Sequence, residues 1–559
     1  MLDKKHVVDV PKGAIVKSDR IVLWTIRKNY IKNKKYNKDQ RRMIGKTLDD
    51  DQSRMYPNDN FKELFPDLYS VSLGPKPKPS YQVIGYYVTM KEIAHALPLY
   101  KTLYDVFGKE DTDLILDYAM YQIAFESSVA QDFESGMKDK ALFSEKLRSD
   151  SYLSDFFKER LSEEDIDLFY EKWAVAVIRH KKLRKVYLNV DGSNIDCEAE
   201  GVTLAEKGHD KSGQKTTIVN MMYAVAPDGT PVTCYQYRGS VIDQTAVKYL
   251  IKFFSHTDVK IAGFCADRGF CSKANADMLR ENGMGFVLMM TSKPDGFSDA
   301  RDRLRDSIKC NVDKWIDGTE LFGDTASVRM FSGDEQESFL HVYYDSSRAG
   351  CGITKILRKI NKAKKDAICA IKEKKTPVFP KDVSAFIGLR KGTGPKTVEI
   401  HKEKVQEAVD NSGFHVLATS EQMTALEANN IYHARDSSEK QYMVMKSKLG
   451  LDTYRAGSDK SIGSRQFVAF IAGILRNEIQ LSCAKMLEET GHKTRYTAPE
   501  VLKELNTIRI KRLPGDEYAL VMDLSTRDEF MLKHLGISKS KLEEYAAKQN
   551  DRIHGKVKK

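Results

Sequence analysis

The sequence predicts an α/β fold, a mixed β-sheet flanked by helices and interrupted by an insertion, and three observations carry that prediction. A run of elements β-β-β-α-β-α-β is legible between Lys185 and Met290. Another apolar strand and two helices follow from about residue 413. Between residues 293 and 412 the regular pattern gives way to mixed, strongly charged sequence. At about 150 residues per domain, a chain of 559 residues holds about three or four folding units.

The strands and helices follow from side-chain period. In KVYLNVDGSNID, Val186, Leu188 and Val190 alternate with Tyr187, Asn189 and Asp191, so a half-buried strand is expected to end at Asp191. TTIVNMMYAV and VTCYQYRG flank the turn signal PDGT and predict a hairpin. Asp243 is placed to cap a helix whose Ala246, Tyr249, Leu250, Phe253 and Phe254 recur at core-facing spacing. VKIAGFCAD then predicts a strand ending at Asp267, a helix runs to a C-cap at Gly283, and GFVLMM is one more buried strand. After the insertion, FHVLATS resumes the sheet. An uninterrupted helix is expected from about Glu421 to Lys448, and an apolar helix from Arg465 to about Met486.

These patterns divide the chain into a mainly helical N-terminal domain over 1–182, a split core over 183–292 and 413–490, the insertion over 293–412, and a charged helical C-terminal region over 491–559. Ser162 and Asp165 have the spacing of a helix N-cap. A strand-like piece, Ile21 to Ile26, precedes a very basic stretch from Arg27 to Arg42.

Composition narrows the function classes. Lys and Arg number 90 against 79 Asp and Glu, a net +11, which points only faintly to nucleic acid. With 41% hydrophobic residues the chain is neither disordered nor collagen-like. Its 8 cysteines never approach the C-x2-C spacing of a zinc ribbon or redox dithiol, so reduced thiols are expected. The longest apolar run, Phe467 to Leu475, falls short of the roughly 20 residues of a bilayer span. GHDKSGQKT fails as a phosphate loop because Gln214 separates Gly213 from Lys215, and RKGTGPKT, with Gly392 and Gly394, reads as a turn. A cytoplasmic protein is expected.

Candidate chemistry gathers in three places. Asp191 and Asp267 sit at expected strand ends, where open α/β sheets place ligand sites. Each has an ordinary reading too, Asp191-Gly192 as a turn and Asp267-Arg268-Gly269 as a strand-to-helix cap. On the helix around Glu439, residues Tyr432, Arg435, Glu439 and Lys446 fall within an arc of about 60° at helical spacing, beside an apolar stripe of Ile431, Tyr442, Met445 and Leu449. The ordinary reading of that face is a solvated surface with Arg-Glu pairing.

Two aspartates, a large insertion and Y-x2-R-x3-E-x6-K, read here as YHARDSSEKQYMVMK, together resemble the DDE transposases of bacterial insertion sequences, in the insertion sequence four superfamily. DGSNID and ADRGF resemble the first two acidic motifs of that family. The resemblance implies an RNase H-like catalytic core and a cut-and-paste transposase acting on terminal inverted repeats and target DNA, as a homodimer in a synaptic complex at the nucleoid. It implies that Asp191, Asp267 and Glu439 are catalytic and hold two Mg2+ or Mn2+ ions per active site, and that Tyr432, Arg435 and Lys446 grip DNA phosphates. Three carboxylates suit hard cations that activate a nucleophile and neutralise a transferring phosphate. An RNase H-like nuclease without strand transfer, and a catalytically inactive DNA-binding regulator, remain as alternatives. Within the insertion, the basic segment at 355–375 is either a solvated face or a DNA contact, and Trp315 is expected in the core rather than stacked on a base.

Overall fold

In a computed structural model, the chain is described over residues 2–27, 40–72, 79–209, 213, 216–390, 396–455, 457–492, 494–513, 516–521 and 524–554. Most of the basic stretch from Arg27 to Arg42, part of the GHDKSGQKT segment, and Gly392 and Gly394 lie outside the described residues. Two compact units make up the chain. One comprises Met1–Tyr81, Lys511–Ala519 and Asn550–Lys559, and the other Gln82–Ile510 and Leu520–Gln549.

The smaller unit differs from the helical expectation. Its first 57 residues hold a five-stranded antiparallel sheet, in the order Val8–Asp9, Arg54–Pro57, Gln40–Thr47, Ile21–Arg27 and Ile15–Val16. Val8, Val22, Ile44, Met55 and Phe61 close its core, with Trp24 packed against them. Two of the strands are only two residues long, too short to show a period in sequence.

After two short helices of the smaller unit, Asp59–Leu64 and Pro66–Ser72, helical structure continues in the larger unit with α1 (Gly85–Ala96), α2 (Leu99–Phe125) and α3 (Glu163–His180). Ser162 caps α3 as its spacing predicts, accepting the Asp165 N–H at 3.0 Å. Trp173 of α3 is fully buried and donates its indole N–H to Pro231 O at 3.0 Å.

The central sheet follows, with β1 (Tyr187–Cys197), β2 (Thr217–Val225), β3 (Pro231–Arg238), α4 (Asp243–His256), β4 (Gly263–Ala266), α5 (Lys273–Glu281) and β5 (Gly285–Met289) in the order read from sequence. After α6 (Asp295–Ile308) come β6 (Leu321–Val328), β7 (Ser338–Asp345), α7 (Ser346–Lys372) and β8 (Phe414–Thr419). The spatial order is β6-β7-β8-β5-β4-β1-β2-β3. β4 is parallel to both β1 and β5, and the other neighbours on this path are antiparallel, so the sheet is mixed. Two strands of the inserted segment thus extend the sheet rather than forming a body of their own. SFLHVYYD is buried on both faces, which hides the two-residue alternation of a half-exposed strand. The rest of the insertion packs a small cluster of Ala363, Val383 and Ile387 beneath α7.

Next come α8 (Ala425–His433), α9 (Asp436–Met443), a π turn (Val444–Lys448), β9 (Thr453–Tyr454) beside β1, and α10 (Asp459–Thr490), followed by the helices Ala498–Leu505, Thr526–His534 and Lys539–Ile553 and the short strands Arg509–Arg512 and Ala519–Leu520. By length and composition α10 would pass for a membrane span, but 72% of its most apolar stretch is buried inside the protein. It is a core helix.

One buried acid gives this unit a pH signature. Asp117 of α2 is fully buried and accepts the backbone N–H groups of Phe143 at 2.6 Å and Ser144 at 3.0 Å. Burial pushes its pKa up to about 7, against the lowering effect of those bonds. A raised acid pKa means that the unfolded chain releases the proton first, so this group's stabilisation is present near pH 4 and is lost as pH rises towards 7. Asp117→Asn carries a pH-independent penalty, because its amide nitrogen cannot accept an N–H, and removes that slope. Urea unfolding at pH 4.5 and 7 is expected to show the stability difference between wild type and variant shrinking with pH, by at most about 3 kcal/mol.

Candidate active site

The register of two parallel strands builds the first half of the site. Gly263 to Ala266 of β4 pair with Tyr187 to Val190 of β1, so the next residues on the two strands are Asp267 and Asp191. At that point β4 stops. Asp267 caps the short turn Arg268–Phe270, accepting the Arg268 N–H at 2.7 Å. β1 does not stop. It continues to Cys197 against β2, pairing Asp191 with Tyr223 and Gly192 with Met222. Asp191 therefore lies within a strand rather than at its end, and Asp191-Gly192 is not a turn. A pairing partner on one side is enough to keep the strand extended.

Gly192 has a different cause. A Cβ there would fall 2.4 Å from Asp243 Oδ2. Asp243 is not the cap of α4 that its position suggests. It occupies the first turn, Ile242 is the N-cap, and the Asp243 carboxylate accepts the Tyr237 hydroxyl at 2.5 Å. That carboxylate lies against the Cα of the residue following Asp191.

The second half comes from the segment expected as one uninterrupted helix. It starts later, at Ala425, behind a capping box of Thr424 and Glu427, and it breaks between His433 and Asp436. Asn189, buried two residues before Asp191 on the same face of β1, holds the break. Its Nδ2 donates to Ala434 O at 2.8 Å and to Ser437 Oγ at 2.9 Å. Beyond Met443 the helix widens into the π turn.

This broken helix delivers Tyr432, Arg435 and Glu439 to the two aspartates. Tyr432 donates its hydroxyl to Asp267 Oδ1 at 3.1 Å. Arg435 reaches Asp191 Oδ2 with Nη1 at 3.5 Å and Glu439 Oε1 with Nη2 at 2.7 Å, and its guanidinium lies 5.5 Å from the centre of the Tyr432 ring. Five of the six predicted site residues thus form one connected group. Lys446 lies on the π turn, half-buried. Arg435 is largely buried, whereas the Glu439 side chain is 56% exposed.

Electrostatics bind the group together. Burial alone would lower the pKa of Arg435, but Tyr432, Asp191, Asp267 and Glu439 around it raise it above the ordinary guanidinium range. Tyr432 is held neutral by burial first and by Asp267 second, so its hydroxyl remains a donor. Among the described residues Arg435 Nε is buried without a hydrogen-bond partner, a donor left over beside the carboxylates.

A family model described as the transposase DDE domain matches residues 184–472, just over half of the chain. The chain belongs to that family. No curated relative matches it closely enough for comparison. The span matched to the transposase domain starts just before β1 and ends within α10, enclosing the inserted segment and all six candidate residues.

Transposases of this family generally use divalent metals, and the donor chemistry here fits a hard cation, because Asp191, Asp267 and Glu439 offer only carboxylate oxygens. Among the described residues no three His, Cys, Asp or Glu side chains already form a cage. Arg435 supplies the positive charge between Asp191 and Glu439.

Two residues differ from or escape the sequence reading. Trp315, expected in the core, is 52% exposed, its indole N–H donated to Thr319 O at 2.6 Å. Its neighbour Ile316 takes the buried place, in a cluster that includes Tyr343, Leu417 and Tyr432. Asn189 was legible only as a polar residue on an alternating strand. Its value as a signal lies in being buried, which the sequence does not show.

Gly192→Ala tests the packing beside Asp191. Overpacking against the hydrogen-bonded Asp243 carboxylate is expected to lower stability by about 1–3 kcal/mol. An unchanged urea midpoint would show that Asp243 gives way freely.

Proposed function

We propose that this chain is a cut-and-paste DNA transposase of the insertion sequence four superfamily, with an RNase H-like core formed by residues 183–292 and 413–490 and interrupted by the insertion at 293–412. The observation that carries the reading is the convergence of Asp191, Asp267 and Glu439 on the Arg435–Tyr432 pair. In this reading the three carboxylates hold two Mg2+ or Mn2+ ions, which when bound activate the attacking oxygen and neutralise charge on the transferring phosphate. Arg435 turns from Asp191 and Glu439 to the phosphate, where its planar fork and the unused Nε–H suit phosphate oxygens. Tyr432 orients Asp267, and Lys446 adds a point charge. The substrate is double-stranded DNA bearing terminal inverted repeats, the acting form is a homodimer in a synaptic complex, and the place of action is the nucleoid.

The test uses the repeats flanking the coding region as a duplex substrate. Asp191→Ala, Asp267→Ala and Glu439→Ala are each expected to abolish Mg2+-dependent cleavage while retaining most end binding in a mobility-shift assay. Retained cleavage in any of them sinks the assignment. Pre-cut ends joined to a target plasmid distinguish a transposase from a nuclease, which would leave them unjoined.

For the DNA backbone we assign the exposed face of α7. Lys355, Arg358 and Lys362 recur there at helical spacing, opposite the buried Ile360, Ala363 and Ala367. Replacing the three cations by Gln is expected to weaken end binding and to flatten the log–log salt dependence by about three units. An unchanged slope would return this face to the role of a solvated surface.

A further inference from the structure

The helix that carries Glu439 also reaches the backbone of the strand that carries Asp191. Tyr442, three residues after Glu439, is buried, and its ring meets that of Tyr223 edge-on with centroids 5.3 Å apart. Its hydroxyl accepts the backbone N–H of Tyr223 at 3.0 Å and donates to the carbonyl of Asp191 at 2.7 Å, with Met221 O farther away at 3.4 Å. Asp191 and Tyr223 are directly paired across β1 and β2. A side-chain hydroxyl therefore bridges the two strands at the pair that contains the candidate catalytic aspartate.

We infer that Tyr442 is a positioning residue that fixes the backbone of Asp191 relative to Glu439. The inference rests on the reading of Asp191 and Glu439 as metal-binding carboxylates. Asn189 pins the helix break at Ala434 and Ser437, and Tyr442 pins the helix one turn or more beyond. Glu439 lies between the two pins. With both in place the helix can neither slide along β1 nor roll on it, so the separation of the two carboxylates is set by the fold before any ion binds. The aromatic ring alone would fill the same space. The hydroxyl is what ties Asp191.

The test compares Tyr442→Phe with Thr89→Val, which removes a buried hydroxyl from a backbone carbonyl, Gly85 O at 2.8 Å, in α1. The full-length proteins, at a temperature where circular dichroism shows them folded, are titrated with Mn2+ alone and followed by the electron paramagnetic resonance signal of the free ion. Wild type and Thr89→Val are expected to share one midpoint. Tyr442→Phe is expected to raise it by about 10-fold, as loss of an outer-shell contact typically does, and to lose cleavage rate that a higher Mn2+ concentration restores. A general structural defect would not be restored by metal. If Asp191→Ala loses Mn2+ while Tyr442→Phe binds as wild type does, the positioning role is overturned and the metal site stands. If wild type binds no better than Asp191→Ala, the metal-site reading falls and takes this inference with it.

Discussion

Three carboxylates brought to one place repel one another, and the fold must hold them there before a substrate or an ion offers any compensation. Arg435 answers this constraint. It bridges Asp191 and Glu439 and stacks on the Tyr432 ring, while Tyr432 takes up Asp267. The same contacts explain why its charge survives partial burial, since each oxygen around the guanidinium favours the protonated form. An arginine suits the task better than a lysine, because its planar fork serves two carboxylates at once.

Meeting that constraint requires the strand and the helix to be fixed to one another. The broken helix does this by giving up ideal geometry. At its interruption the Ala434 carbonyl accepts Asn189 Nδ2 at 2.8 Å as well as the Ser437 N–H at 3.1 Å, and its second segment sends Tyr442 back to the Asp191 carbonyl. The far end is braced from the N-terminal helices. Ser128 Oγ donates to Gly450 O at 2.5 Å, and Glu126 at the end of α2 pairs with Lys448 at 3.1 Å and with the buried Arg476 of α10 at 3.3 Å. A left-handed Gly450 is needed for this approach, because a Cβ would sit 2.7 Å from Ser128 N. Segments more than 300 residues apart in sequence thus converge on the turn that ends the helix bearing Glu439.

How much of this was legible in the sequence depends on whether a residue's job is done by its period or by its partner. The run from β1 to β5 follows from period and turn chemistry, and appears in the structure in the same order. The Y-x2-R-x3-E-x6-K spacing located the helix, because a helix repeats whatever surrounds it. What remained hidden was set by tertiary partners. The break at Ala434 depends on Asn189, 245 residues away. The strand through Gly192 depends on β2, and the glycine itself on Asp243. SFLHVYYD concealed its strand because both of its faces are covered. In the first 57 residues the strand-like piece from Ile21 appears as the strand Ile21–Arg27, but two of its companions are only two residues long, too short for a period to show.

The insertion is where the hidden part changes the argument most. A segment that looked independent contributes β6 and β7 to the same sheet as the carboxylates. Tyr343 of β7 donates its hydroxyl to Ala425 O, the first residue of α8, at 2.6 Å, and Ile316 shares a buried cluster with Tyr432. His341 of β7 and His415 of β8 sit in this part of the sheet, and burial lowers the pKa of each to about 4, so neither imidazole carries a charge at neutral pH. The exposed Trp315 and the residues beside it are therefore tied through Ile316 and the sheet to the helix that carries Arg435 and Glu439. An aromatic surface held in that register keeps a fixed distance from the carboxylates. A tethered but separately moving domain would not hold that distance.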